Sequence, residues 1–286
     1  MYSTAAHIPR RCGWLTDIHL NFVNLSARDA LWQKIASAQL DSLLITGDIS
    51  EADDICYELT RLRSEFPGQI FFVLGNHDFY HGSIDLVRER VEWTCKTQPR
   101  LHYLTGNAPM PMAGGWSLCG DDGWGDARLG DFFCSPIRMN DFRLINDFAH
   151  LDSHSLYRKL KRLGTESAIR LSQQLRVAAQ QSNHILVLTH LPPFKESCWY
   201  EGGHGNDDWL PFFACHAVGL TLKRFCRSNP SHEVIVLCGH THHRGVSRIL
   251  PNLLTWTGQA DYGQPQLEAI LNMEDFVHPN ASWGYP

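Results

Sequence analysis

The sequence predicts an α/β architecture in which parallel strands are joined by helices. Three observations carry this. Apolar runs of strand length alternate with amphipathic stretches of helix length, three times over, in the first hundred residues. Each of those runs ends in polar residues able to bind a metal. After residue 184 the same strand pattern returns and ends in histidine. Such alternation indicates parallel neighbours with right-handed crossovers, and in open α/β sheets the ligand crevice lies outside the carboxyl ends of the strands.

Taken in order, Cys12 to Thr16 is an apolar run ending in Asp17-Ile18-His19, and Ser26 is placed to cap a helix from Ala27 to about Gln39. Ser42 to Thr46 reads as a buried strand ending in Gly47-Asp48. Ser50 can cap a helix over about Asp53 to Glu65, which Pro67-Gly68 stops. Ile70 to Leu74 is a strand delivering Gly75-Asn76-His77-Asp78, and Ser83 can cap a third helix, Ile84 to about Thr97. Tyr103-Leu104 and Trp116 to Cys119 look like short strands on either side of a turn-rich Gly106 to Gly115, and Asp121 to Arg138 reads as a long loop. Ser153 or Ser155 can cap a helical region to about Gln181, broken at Gly164, with a solvated face of Lys, Arg and Gln. His184 to Thr189 is a strand with His190 at its end. A Gly-rich loop over Glu201 to Asn206 precedes a helix over about Phe212 to Cys226. Val234 to Cys238 is a strand ending in Gly239-His240-Thr241-His242. Val246 to Ile249 and Leu253 to Trp256 read as antiparallel strands closing a second sheet, with Leu267 to Leu271 as a candidate for one more. The expected organisation is one domain over 1–286, with loop insertions around 106–140 and 194–210 and a polar tail from about 273. No internal repeat or low-complexity segment is present.

With 43% hydrophobic and 19% charged residues the composition is globular, and a net charge of −5 argues against a surface that generally attracts nucleic acid. The nine cysteines contain no C-x-x-C pair and read as mostly buried thiols in a reducing cytosol. Met1 to Arg11 has no apolar signal-like core and no run is long enough to span a bilayer, so the expectation is a soluble, cytoplasmic protein.

The strand ends collect Asp17, His19, Asp48, Asn76, His77, Asp78, His190, His240 and His242. Gly-Asn is also a common turn dipeptide, and a lone histidine is more often a core residue than a ligand. Recurrence at five separate strand ends is a different matter. Carboxylate, imidazole and amide without thiolate suit Mn, Fe, Zn or Co. Asp17 and His19 stand at i, i+2, so on an extended strand end both point to one side and can bind one ion. His240 and His242 repeat the spacing, although a loop could send them to different ions. Seven ligands exceed one tetrahedral site and match two ions sharing a carboxylate.

The succession Asp17-x-His19, Gly47-Asp48, Gly75-Asn76-His77-Asp78, His190 and Gly239-His240-x-His242 resembles the calcineurin-like metallophosphoesterase family over most of the chain. The resemblance implies two packed mixed β-sheets flanked by helices, a four-layer α/β/β/α sandwich, with a dinuclear centre of divalent or trivalent ions at the strand ends. It implies one ion on Asp17, His19 and His242, the other on Asn76, His190 and His240, and Asp48 bridging. His77 takes the place of a catalytic histidine that binds no metal, with Asp78 orienting its ring.

Two cations near a phosphate ester neutralise the charge that repels a nucleophile and lower the pKa of a bridging water, so hydroxide can attack phosphorus in line. A histidine beside them can protonate the departing oxygen. The expected activity is therefore hydrolysis of a small phosphodiester or phosphomonoester, with a diester slightly favoured by analogy. Tyr80, His81, Trp124, Arg138, Asn140 and His204 are candidate substrate-binding residues. A nuclease acting on single strands is the alternative enzyme, using a channel lined by Arg128, Arg138 and Arg143. A scaffold that kept the fold and lost catalysis is the non-enzymatic alternative, against which intact Asp17, Asp48, Asn76 and His77 speak.

Overall fold

The computed structural model describes residues 8–275. Its first half alternates β1 (Arg11–Leu15), α1 (Leu25–Ser37), β2 (Ser42–Thr46), α2 (Ile55–Glu65), β3 (Gln69–Val73), α3 (Ile84–Thr97) and β4 (Leu101–Tyr103). The four strands pair in parallel in that order. Then follow β5 (Met110–Met112), β6 (Trp116–Asp121), α4 (Asp141–Leu144), α5 (Ser153–Ala178) and β7 (His184–Thr189). A short hairpin, β8 (Trp199–Tyr200) and β9 (Gly203–His204), leads to α6 (Leu210–Phe213) and α7 (His216–Ser228). The chain closes with β10 (Glu233–Cys238), β11 (Gly245–Leu250), β12 (Leu253–Thr257) and β13 (Ala269–Asn272).

Two mixed sheets result. The first has the order β13-β1-β2-β3-β4, with β13 antiparallel on β1; the second has the order β11-β12-β10-β7-β6-β5, with antiparallel edges. Side-chain alternation along the strands divides the apolar residues into layers. In the first sheet Leu43, Ile45, Ile70 and Phe72 face α1, α2 and α3, while Leu44, Phe71 and Val73 face the second sheet. There they meet Leu118, Leu186, Leu188 and Leu237, and Trp14 on β1 packs edge-on against Trp256 on β12 at 5.3 Å. The far face of the second sheet, Ile185, Val187, Val234 and Val236, is covered by α5 and α7. Strands covered on both faces must be apolar throughout, which is why these runs stand out in the sequence.

Several local expectations are corrected. The cap of α1 is Asn24, whose side chain accepts from Ala27 N at 2.9 Å, and not Ser26, which lies inside the helix. Ser83 makes no capping bond; Asp147, distant in sequence, accepts from Ile84 N instead. α5 runs unbroken through Gly164, where the glycine leaves room for Asp126: a Cβ there would collide with its side chain. The helix is capped by Asp152, and its polar side is only partly solvated, since Arg170 grips Asp121 and Gln174 is buried against Gly120 and Leu104. Helix is interrupted at Ala214-Cys215, where Cys215 N bonds to Pro192 O, so α6 and α7 replace the single helix expected there. The stretch expected as a loop insertion from 106 contains β5 beside the expected strand at Trp116 to Cys119, which is part of β6, and the one from 194 contains the β8–β9 hairpin. The expected tail begins docked, with Met273 buried and bonded to Arg10 O; residues 276–286, like 1–7, lie outside the described residues.

Candidate metal centre

Because β1, β2 and β3 run parallel, as do β7 and β10, their carboxyl ends open onto one edge of the sandwich. The loops leaving them are laced by backbone bonds: Asp17 N to Gly47 O, His19 N to Asp48 O, and Gly239 N to His190 O. Asp17, His19, Asp48, His240 and His242 all have positive φ, between 40° and 71°. Such backbone is uncommon away from glycine and gathers at functional sites. It also corrects the expected geometry, since Asp17 and His19 reach one place through left-handed turns and not through an extended strand end.

The donor atoms fall into two groups. Asp17, His19, Asp48 and His242 each offer one atom, all within 4.8 Å of one another. His242 Nε2 lies 3.3 Å from Asp17 Oδ1 and 3.4 Å from His19 Nε2. In the second group His190 Nε2 lies 3.0 Å from Asn76 Oδ1 and 3.4 Å from Asp48 Oδ1, and His240 Nδ1 lies 2.9 Å from Asn76 Oδ1. Asp48 belongs to both, turning Oδ2 toward His19 and Oδ1 toward His190. His240 and His242 therefore face different groups.

The hydrogen bonding behind these atoms fits cations. His190 Nδ1 sits 2.8 Å from the Thr46 carbonyl, which can only accept, so the ring proton belongs there. Burial lowers the His190 pKa, leaving Nε2 as a bare lone pair. That lone pair faces an amide oxygen, because Asn76 Nδ2 is taken up by Asp141 Oδ1 at 2.9 Å. Lone pair against lone pair at 3.0 Å repels, and a cation between them removes the repulsion. Burial likewise lowers His19 to about 4 and His240 to about 3, so both rings are neutral at physiological pH, the form in which imidazole can bind a metal. Burial and the nearby carboxylates of Asp17 and Asp78 push Asp48 well up, the condition in which a metal replaces a proton.

His77 stands beside both groups. Its ring stacks on Tyr80 at 4.2 Å and meets His19 edge-on at 4.6 Å, and the His77 backbone N–H donates to Asp48 Oδ1 at 2.9 Å. Burial, then the neighbouring His19 and His190, lower its pKa to about 2. Asp78 does not hold the His77 ring. Its Oδ1 accepts from Ile49 N and Ser50 N and its Oδ2 from Gly75 N, each at 2.8 Å, so it ties the loop after β2 to the loop after β3.

A cleft of about 690 Å³ opens over the centre and is lined by Asp48, Asn76, His77, Tyr80, Arg138 and Asn140 among others. Three expected substrate contacts lie elsewhere. Trp124 is core, packed between Phe79 and Phe148 at 5.6 and 5.4 Å. His81 turns its ring outward, 3.8 Å from Glu51, and His204 lies exposed on β9 against Trp199. Two residues of the site escape sequence reasoning. Asp141 accepts from both Asn76 and the Tyr80 hydroxyl, and the Tyr262 ring lies 4.5 Å from His19 at the cleft mouth. Neither has a neighbouring motif to mark it.

A profile of calcineurin-like phosphoesterases matches residues 11–244, and the chain belongs to this family. Its structure is similar to that of phosphopantetheinyl hydrolase from Mycobacterium tuberculosis, with TM-score 0.63 and 13% identity, covering 90% of this chain and 91% of that one. It is also similar to a dimetal phosphatase from Danio rerio, with TM-score 0.53 and 14% identity over 88% of each chain. A protein from Thermus thermophilus gives TM-score 0.53 and 11% identity over 93% of this chain and 95% of that one. At these identities the likeness is one of fold. No curated protein matches the sequence. Among the described residues no helix is long and apolar enough to cross a membrane.

Proposed function

We propose that the chain is a single-domain, metal-dependent phosphoesterase hydrolysing a small phosphodiester or phosphomonoester. The observation carrying this reading is that two groups of donor atoms share Asp48 beside a half-buried histidine at the floor of an open cleft. Asp17, His19 and His242 would hold one ion, Asn76, His190 and His240 the other, and Asp48 both. When bound, two such ions neutralise phosphoryl charge and lower the pKa of water. His77 delivers the proton to the departing oxygen. Its ring is neutral before substrate arrives, and an anionic ester brought beside it favours the protonated form. Tyr80 holds that ring by stacking, and Asp78 holds the two loops on which His77 and Asp48 sit.

A small substrate is favoured over a nucleic acid strand. Of the three arginines that would line a channel, only Arg138 reaches the cleft; Arg128 pairs with Asp126 and Thr165, and Arg143 turns to Asn140. Nine cysteines outside any disulfide suit a cytosolic location. The test is a panel of p-nitrophenyl phosphate, bis(p-nitrophenyl) phosphate, cyclic nucleotides and single-stranded DNA, assayed after chelation and after adding Mn, Fe, Zn or Co. Turnover restored by metal and lost in Asp48→Asn is expected. A protein that retains no metal and turns over none of them is the scaffold alternative.

A further inference from the structure

The cleft is lopsided. From the ligand His240 an unbroken row of rings leads away from the centre: Phe213 at 5.4 Å from His240, then Trp209 stacked on Phe213 at 4.9 Å and 25°, then Tyr200 at 5.4 Å from Trp209. Ile137 and Met139, from the irregular segment before α4, line the same cleft, and Tyr262 stands at its mouth. Among the described residues lining the cleft, Asp48 of the metal centre is the sole carboxylate. Arg138 is the one arginine among them, with Nη1 tied to the carbonyls of Ser135 and Ile137. Clustered rings that remain open to a cavity beside reacting groups are unusual surface and mark where a ligand is received. About 690 Å³ is in the range of small-molecule sites.

We propose that this wall receives the alcohol portion of the substrate, and that this portion is an uncharged, ring-bearing or otherwise apolar organic group. The inference rests on the phosphoesterase reading, which puts the phosphoryl group at the ion pair and lets the esterified arm extend along the row of rings that starts at His240. A polyanionic or strongly cationic arm would find neither the row of cations nor the carboxylates needed to hold it.

The experiment compares phosphate monoesters of methanol, benzyl alcohol and 2-naphthylmethanol on the metal-loaded protein, all primary alcohols of similar leaving ability. kcat/KM is expected to climb at least about tenfold from methyl to naphthylmethyl, chiefly through KM. The naphthylmethyl-to-methyl ratio is expected to fall about fivefold or more in Trp209→Ala and in Met139→Ala, which lie on different chain segments, so one variant serves if the other does not fold. Calorimetry with 2-naphthylmethylphosphonate against methylphosphonate gives a readout free of turnover. A flat series with good turnover, or a ratio unchanged in both folded variants, overturns the assignment of the wall and leaves the phosphoesterase reading standing. Absence of turnover on every monoester and on the corresponding methyl phosphodiesters, with the naphthylmethylphosphonate still bound more tightly, does the reverse.

Discussion

Asp141 accepts a hydrogen bond from Asn76 Nδ2 at 2.9 Å and thereby decides which end of the amide faces His190 and His240. The same Asp141 oxygen takes the Tyr80 hydroxyl at 2.8 Å, so the amide is held in a buried clamp. Asp141→Ala frees Asn76 to turn its NH₂ toward the histidines. Metal affinity at one of the two sites is expected to drop about 10–100-fold while the other is kept. Metal content after dialysis, resolved by stoichiometry, checks this; two ions retained at wild-type affinity would contradict it.

His77→Ala should cost more on a poor leaving group than on an activated one. An alkyl ester is expected to lose about 10²–10⁴-fold and a p-nitrophenyl ester much less, since the latter departs without a proton. Equal losses in a variant that still holds its metal would remove the acid role.

In metal-free protein His19 and His240 should each contribute stability that is lost on acidification, against the opposite contribution of the buried Asp48 and Asp78 carboxyls. Unfolded histidines take up protons near pH 6.5, whereas burial delays His19 to about 4 and His240 to about 3. In that interval the unfolded chain binds more protons at these two rings, so the stability they give above pH 6.5 is lost as pH falls toward 4. Ring resonances of His19 and His240 in chelated protein are expected to titrate below pH 5; midpoints near 6.5 would show that these rings are not buried as neutral groups.

Gly75→Ala should damage the centre directly, because a Cβ at that position would run into the Asp48 carboxylate. Displacing it is expected to cost about 1–3 kcal/mol and to lower retention of both ions together. Melting temperature and metal content of the same preparation check the two parts.

Much of the architecture is readable because strands buried on both faces have to be apolar: Ser42 to Thr46 and His184 to Thr189 coincide with β2 and β7. Candidate ligands at the ends of such strands are equally visible, since Asn76 or His190 just past an apolar run brings polar groups that need a partner. Features fixed by distant partners are not visible. Gly164 makes room for Asp126 and does not break the helix, and Trp124 is core because Phe79 and Phe148 close on it. Asp78 looks like a partner for the adjacent His77, yet the N–H groups it serves belong to Ile49, Ser50 and Gly75. Tyr200, Trp209 and Tyr262 come from chain in which no periodicity distinguishes a ring that lines a cleft from one that fills a core.

The left-handed backbone at Asp17, His19, Asp48, His240 and His242 sets fold and chemistry in opposition. Each such residue works against the chain's preferred geometry by about 1–3 kcal/mol, and glycine would relieve it while removing the side-chain donor. Mutational drift toward a hardier molecule therefore passes through these five positions, and a descendant selected for toughness alone would surrender these donor atoms first.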